Sequence, residues 1–319
     1  MELQEQLEEL QAQGLSVAAI SYDTEAVLTE FSEKRGITFP LLSDDDSQTI
    51  TDYGILNTLA DEALEIVGPS RSDRESADLD PVLESDIKKY VTVNQGIDYH
   101  VGTPYPGTFI VDRNGRVMSR FFEEFYRERN TIANIMLKRG TGLTPIAAVE
   151  GSTVHLKFTA YPSNPYVMPG SRISLAVQVE PNETMHLYAP GAETMGYKVI
   201  SLDLRPVPHV RFEPVVYPES EIYHFEPFDE LVPVYQSQFT LLQEIVVEAT
   251  PEAEEALSQL DALTVGGTFD YQACDDAFCF NPVSLPISFT LDLRGVVREL
   301  SESSPLREYF RARARENAN

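Results

Sequence analysis

Near residue 149 the rhythm of apolar residues changes, and that change constrains the fold more than any other feature. Upstream, apolar positions recur at helical spacings of three and four, interrupted by short apolar runs. Downstream they alternate with polar ones, and proline and glycine punctuate the gaps. A pattern with a period near 3.6 buries no single face of a strand, and a pattern of two buries no single face of a helix. The chain therefore reads as two differently built parts. Its 319 residues are enough for two domains, and with 42% hydrophobic residues each can bury a core.

The first part, residues 1–145, alternates helix and strand. Leu3, Leu7 and Leu10 form one stripe on a helix from Glu2 to Ala12, stopped by Gly14. Leu15–Tyr22 is short and apolar, the pattern of a buried strand. A helix follows over Thr24–Arg35, with Asp23 as N-cap and Gly36 as its stop. A brief strand over Ile37–Leu42 and a helix over Asp44–Tyr53 come next. Residues 57–105 are polar and too long for an ordinary connection, so they read as an insertion. Thr108–Asp112 and Arg116–Phe122 flank Asn114-Gly115, a strong hairpin signal. Thr131–Lys138 reads as a helix closing this part.

In the second part, residues 150–295, strands are expected at Thr153–Ala160, Arg172–Glu180, His186–Tyr188, Tyr197–Leu204, Phe239–Val247 and Leu285–Asp292. Several short strands between turn signals predict a β-sandwich, interrupted by one helix over Pro251–Asp261. Residues 296–319 are charged and read as a tail or a fraying helix.

Charge excludes one class of partner. With 24 Lys and Arg against 51 Asp and Glu, the net charge of -27 repels phosphate backbones, so no nucleic-acid partner is expected. No apolar run approaches the roughly 18 residues a membrane-crossing helix needs, and no membrane insertion by this chain is expected. The acidic start, MELQEQLEELQAQG, lacks the basic flank and apolar stretch of a signal peptide.

The strings LQEQLEELQAQGLSVAAISYD, ITFPLLSDDDSQTITDYGI and YPGTFIVDRNGRV stand in the order and spacing of a thioredoxin fold that begins at its first helix. Together they resemble the AhpC/TSA branch of the peroxiredoxin–thioredoxin superfamily. The resemblance implies an α/β thioredoxin-like domain, incomplete at its N-terminus. It also implies a cis-proline at Pro106, shaping a substrate site opposite the redox centre; an ordinary trans proline entering an edge strand is the alternative. The family's reactive cysteine would precede the first helix, but residues 1–273 contain no cysteine. Met1 is therefore expected to be an internal methionine of a longer protein. The arginine many peroxiredoxins place before this strand is replaced by Tyr105-Pro106-Gly107, which tilts the resemblance from peroxide reduction toward disulfide exchange.

Both cysteines, Cys274 and Cys279, lie in DYQACDDAFCFNPVSLPISFTLDL. Their alternating flanks read as adjacent strands, which would let the pair meet beside a hairpin end in a disulfide. Five histidines without paired spacing give no metal site, and neither metal nor cofactor is expected. His186 and His209 read as turn or surface residues, and the acceptor triplet at Asn182 is discounted as chance.

This segment resembles the N-terminal redox domain of the DsbD thiol:disulfide interchange family, an immunoglobulin-like sandwich. The resemblance extends more faintly over residues 150–295, through MHLYAPG. It implies that Cys274 and Cys279 are the exchanging pair and that Tyr271 and Phe280 shield it. Asp275 and Asp276 would be the acidic residues beside the sulfurs, raising their thiol pKa. The partners implied are thioredoxin-like or DsbD-like redox proteins in an extracytoplasmic, periplasmic compartment, with a cytoplasmic location left open. The whole reads as a thiol–disulfide oxidoreductase of the redoxin families. The competing reading is a non-catalytic binding or scaffold protein, with a degenerate thioredoxin-like domain and a structural disulfide.

Overall fold

A computed structural model describes residues 2–58, 103–122, 128–140, 145, 147–225, 229–275 and 277–295. Most of the expected insertion, Asp276 and the charged C-terminal stretch lie outside these. The chain divides into two units, one built on residues 1–122 and the other on Glu123–Val296.

The first unit opens with two short helices, α1 (Glu2–Glu5) and α2 (Leu7–Ala12), where the leucine stripe predicts one. Strand β1 is Ala19–Ser21, helix α3 is Glu25–Arg35, β2 is Leu41–Ser43 and α4 is Gln48–Asp52. The N-cap of α3 is Thr24, not Asp23; the Asp23 carboxylate instead accepts the Ser21 hydroxyl at 2.6 Å. Gly36 ends α3 as predicted, at φ 63°, a left-handed conformation in which a side chain would be strained. Strands β1 and β2 pair in parallel, Ile20 opposite Leu42, and Leu7, Ile37 and Phe39 form a small core beside them.

The predicted hairpin is present as β3 (Gly107–Val111) and β4 (Val117–Phe122). Its turn is held by the Asp112 carboxylate, which accepts the amides of Asn114 and Arg116 at 2.8 and 2.9 Å, while Gly115 takes a positive φ of 78°. Ahead of β3, the Tyr105 amide donates to the Ile55 carbonyl at 2.6 Å and Leu56 pairs with Pro104. No peptide bond among the described residues is cis, which corrects the expectation for Pro106. Extended pairing on its N-terminal side carries the chain straight into β3, and a trans bond, favoured for X–Pro unless packing overrides it, suffices there.

The second unit begins earlier than the change of rhythm. Strand β5 (Arg129–Asn130) pairs in parallel with Ser171–Arg172, and helix α5 (Ile132–Lys138) packs on the same strand. Thr131–Lys138, read from sequence as a helix closing the first part, thus packs with the sandwich, as does β5 ahead of it. Thr131 caps α5 by accepting the Asn134 amide, and Ala133, Ile135 and Met136 are buried.

The remaining strands are β6 (Val149–Ser152), β7 (Leu156–Pro162), β8 (Tyr166–Val167), β9 (Ser171–Pro181), β10 (His186–Tyr188), β11 (Ser201–Leu204), β12 (Val210–Val216), β13 (Glu221–Phe225), β14 (Glu230–Tyr235), β15 (Phe239–Val247), β16 (Ala262–Tyr271), β17 (Ala273–Cys274) and β18 (Val283–Leu293). Helix α6 (Pro251–Leu257) lies between β15 and β16. One sheet has the order β12-β15-β9-β7-β6; the others run β11-β16-β18-β8 and β13-β14-β10-β17. Thr153 starts no strand: it lies in the turn between β6 and β7, its hydroxyl accepting the amides of His155 and Leu156.

Alternate residues of β9 (Ile173, Leu175, Val177, Val179) and β15 (Leu241, Ile245) meet Val265, Phe269, Phe289 and Leu291 in one core. Burying each such side chain contributes about 1.5–3 kcal/mol. Gly267, in the middle of β16, lets β11 approach closely: a Cβ there would lie 2.1 Å from the Asp203 carbonyl oxygen.

Candidate redox site

Strand β16 runs antiparallel to β18 from Ala262↔Asp292 to Tyr271↔Val283, and then the chain leaves that sheet. Gln272 marks the crossing. Its side-chain carbonyl accepts the Lys198 amide at 3.1 Å and its NH2 donates to the Phe280 carbonyl at 3.0 Å. The next two residues, β17, pair instead with β10, placing Cys274 opposite His186.

Cys274 and Cys279 form a disulfide, their Cα atoms 4.1 Å apart as an antiparallel pair. The bond is bracketed by backbone hydrogen bonds, Asp275 N–H to the Phe278 carbonyl at 3.0 Å and Phe280 N–H to the Ala273 carbonyl at 2.9 Å. The Asp275 carboxylate closes the tip by accepting the amides of Ala277 and Phe278 at 2.8 and 2.6 Å. Those two bonds, with the charge of His186, hold its carboxyl below the usual range against the opposing effect of burial.

The two sulfur-bearing residues differ in access. Cys274 is 1% exposed, whereas Cys279 is exposed, as are Ala277 and Phe278 beside it. Under the bond lies Tyr188, its hydroxyl 2.9 Å from the Cys274 sulfur and 3.2 Å from that of Cys279. Burial first, then the neighbouring Tyr197, Glu230 and Tyr223, push the Tyr188 phenol far up, so it stays protonated. Tyr197 stacks on Tyr188 with ring centroids 4.2 Å apart and donates its O–H to Glu230 at 2.9 Å. Tyr223 packs against the His186 ring at 4.6 Å. The pocket these side chains leave holds about 30 Å³, room for a water or two and not for a substrate.

Of the residues named from sequence, Cys274, Cys279 and Asp275 are brought together, and Asp276 lies outside the described residues. Tyr271 and Phe280 do not line this pocket. Tyr271 is fully buried, its hydroxyl 2.9 Å from Thr153 and 3.2 Å from His155 Nδ1, and Phe280 packs on the His155 ring at 4.7 Å. Alternation explains this: Tyr271 points into the sandwich core with Phe269, and the aromatics that cover the sulfurs come from β10 and β13. His186, read as a turn or surface residue, is 3% exposed on β10. The MHLYAPG string was the available signal for Tyr188; nothing local marked Tyr197 or Glu230. Asn182 uses its side-chain NH2 to bind the Thr153 and Val154 carbonyls, a structural task. Among the described residues no cluster of ligating side chains could hold a metal ion, and no helix is long and apolar enough to cross a membrane.

Residues 1–120 match the model of the AhpC/TSA family, so the first unit is the thioredoxin-like α/β part of the chain and the second is an all-β sandwich. No curated protein matches the sequence. Among solved structures, the reduced N-terminal domain of DsbD from Neisseria meningitidis is 13% identical, over 37% of this chain and 78% of that one, with a TM-score of 0.25. The N-terminal periplasmic domain of ScsB from Proteus mirabilis is 10% identical over 53% and 57%, at 0.28. The yeast GGA1 GAE domain is 7% identical over 44% and 96%, at 0.25. Scores this low assign neither fold nor function. The chain thus joins a segment that matches the AhpC/TSA family model to a sandwich that carries a disulfide.

Proposed function

We propose that this protein carries out thiol–disulfide exchange through Cys274 and Cys279. The observation that carries the reading is the asymmetry of the bond, one sulfur on a buried residue and the other on an exposed residue at a hairpin tip. A partner thiolate attacks the Cys279 sulfur. The Cys274–Cys279 bond breaks, its electron pair stays on the Cys274 sulfur, and the Tyr188 O–H donates to the thiolate that forms. The partner is then joined to Cys279 by a mixed disulfide. A second thiolate of the partner attacks its own sulfur in that bond and releases Cys279 as a thiolate. Two electrons have entered the pair, the partner dithiol has become a disulfide, and the protons lost by its thiols are available to the two new cysteine thiolates. Run backwards, the same steps reduce an oxidised partner.

Asp275 suits exchange within a complex. An ionised carboxylate beside the sulfurs disfavours a free thiolate, so the reduced pair rests as thiols between encounters. A structural staple is the competing reading, but a disulfide closing so short a loop removes little entropy from the unfolded chain. The exchange uses Cys274 and Cys279, the two cysteines of this sequence. Pro106 is proposed to contribute to a substrate-binding surface on the first unit. An oxidising, extracytoplasmic compartment fits a disulfide of this kind.

Dithiothreitol followed by alkylation tests the reading. The expected result is two added labels with the thermal unfolding of the sandwich essentially unmoved. Reduction that melts the sandwich would make the bond a staple and overturn the proposal.

A further inference from the structure

The hairpin tip presents a surface of definite character. Phe278 is 71% exposed and stands next to the exposed Cys279, and the pocket beside them is too small to enclose a ligand. Whatever reaches Cys279 must therefore bring its own surface. The elements packed with Tyr188 and Cys274 carry a rim of carboxylates: Asp275, which lines the pocket, Glu193 in the short 3-10 helix Ala192–Met195, and Asp229 and Glu230 at the start of β14. Ala192 packs in one cluster with Tyr188, Val232, Val234 and Cys274, which fixes that short helix beside the disulfide. Glu230 reaches the same place through Tyr197. Lys198 is the lysine on these segments among the described residues; His224 is bonded to Asp229 at 2.8 Å.

From this juxtaposition of an exposed aromatic, an exposed cysteine and a rim of carboxylates, we infer that the exchange partner is a thiol protein whose reactive cysteine lies among lysines and arginines, beside an apolar recess for Phe278. The inference rests on the exchange reading and adds the partner's chemistry. Opposite charge at the rim raises the encounter rate and orients the approach, and like charge excludes a wrong partner. The step itself is unchanged: the basic partner's thiolate forms a bond to Cys279 and the electron pair of the broken bond leaves on Cys274.

The experiment uses the full chain with its disulfide intact. Two cysteine peptides serve as reductants, one with lysines flanking the cysteine and one with glutamates, and their rates are compared with that of neutral dithiothreitol. At low salt the cationic peptide is expected to react roughly tenfold or more faster than the anionic one, a gap closing as salt is raised. Flanking lysines also raise thiolate content, so the decisive arm is in the protein. The double variant Glu193→Gln with Asp229→Asn is expected to lower the cationic-to-anionic rate ratio about threefold or more. Glu252→Gln with Glu255→Gln, exposed positions on α6, removes the same charge elsewhere and is expected to leave that ratio unchanged. Equal ratios in the rim variant and the wild type would overturn the inference while leaving exchange standing. A ratio lowered as much by the α6 variant would also overturn it, assigning the preference to net charge. A pair that neither the peptides nor dithiothreitol can reduce in the folded protein would overturn both readings.

Discussion

The Tyr188 hydroxyl sits 2.9 Å from the sulfur of Cys274, closer to the buried member of the pair than to Cys279 at 3.2 Å. It is therefore placed for the sulfur that must leave when Cys279 is attacked. Tyr188→Phe keeps the ring, its stack on Tyr197 and its burial, and removes only the donor. A hydrogen bond to a charged group contributes about 1.5–3 kcal/mol, so reduction by dithiothreitol is expected to slow roughly tenfold or more. Stopped-flow reduction of wild type and variant measures this. Equal rates would remove Tyr188 from the mechanism.

Access separates the two thiols once the pair is reduced. Iodoacetamide should label Cys279 well before Cys274, as peptide mapping at short times would record. In a trapping assay, Cys274→Ser should accumulate mixed disulfides on Cys279, whereas Cys279→Ser should accumulate few. Comparable trapping by both variants would contradict the assignment of Cys279 as the attacked sulfur.

Acid should loosen the hairpin tip in a defined window. Asp275 has a folded pKa below its ordinary 3.8, so its contribution is full above that value and is lost as pH falls through the lower folded value. The amide resonances of Ala277 and Phe278 are expected to titrate with a midpoint under 3.8, and Asp275→Asn should abolish the transition. A midpoint at or above 3.8 would mean the carboxylate does not hold those amides.

The outer face of the β9 sheet carries an ion network that fastens residues 128–138. Arg211 grips the Glu128 carboxylate with both terminal nitrogens at 3.0 Å, and Arg172 adds a contact at 3.4 Å and a link to Glu244. Glu128→Ala removes the buried carboxylate, but Arg172 keeps Glu213 and Glu244 and the exposed Arg211 keeps Glu213, so the sandwich should be destabilised by about 1–2 kcal/mol. Urea unfolding of the full chain, followed through the β-sheet signal, checks this; a change under about 0.5 kcal/mol would place the network among ordinary surface pairs.

Gly267→Ala tests the close approach of β11. The added carbon meets backbone on both Asp203 and Leu204, and backbone does not turn aside as a side-chain tip can. Overpacking of this kind costs about 1–3 kcal/mol, read as a lower urea midpoint. An unchanged midpoint would show that β11 shifts without cost.

What the sequence disclosed and what it withheld divide by distance along the chain. The Asn114-Gly115 hairpin, the stop at Gly36, the β16–β18 pairing and the meeting of Cys274 with Cys279 are local, and turn chemistry or alternation states them. The partners of the sulfurs are not local. Tyr188 arrives across 86 residues by the pairing of β10 with β17, and no spacing rule reaches so far. Tyr271, three residues before Cys274, is named as a shield from sequence, but it ends β16 ahead of the switch of sheets at Gln272 and stays in the core. Residues 129–138 show the same limit. Their helical pattern gave α5 correctly, whereas its attachment depends on Asn134 reaching Glu244 at 2.9 Å, a contact invisible in either segment alone.

The backbone hydrogen bonds that bracket the disulfide, Asp275 to Phe278 and Phe280 to Ala273, do not involve sulfur. They hold the two strands in register whether or not the S–S bond exists. Cleaved, Cys274 and Cys279 stay neighbours at a high effective molarity. Any group captured on Cys279 therefore faces a resolving sulfur already in place, and its lifetime there is set by the protonation of Cys274 rather than by diffusion. On the exchange reading proposed above, the sandwich is a rigid two-electron store, filled and emptied at one edge with no rearrangement of its interior.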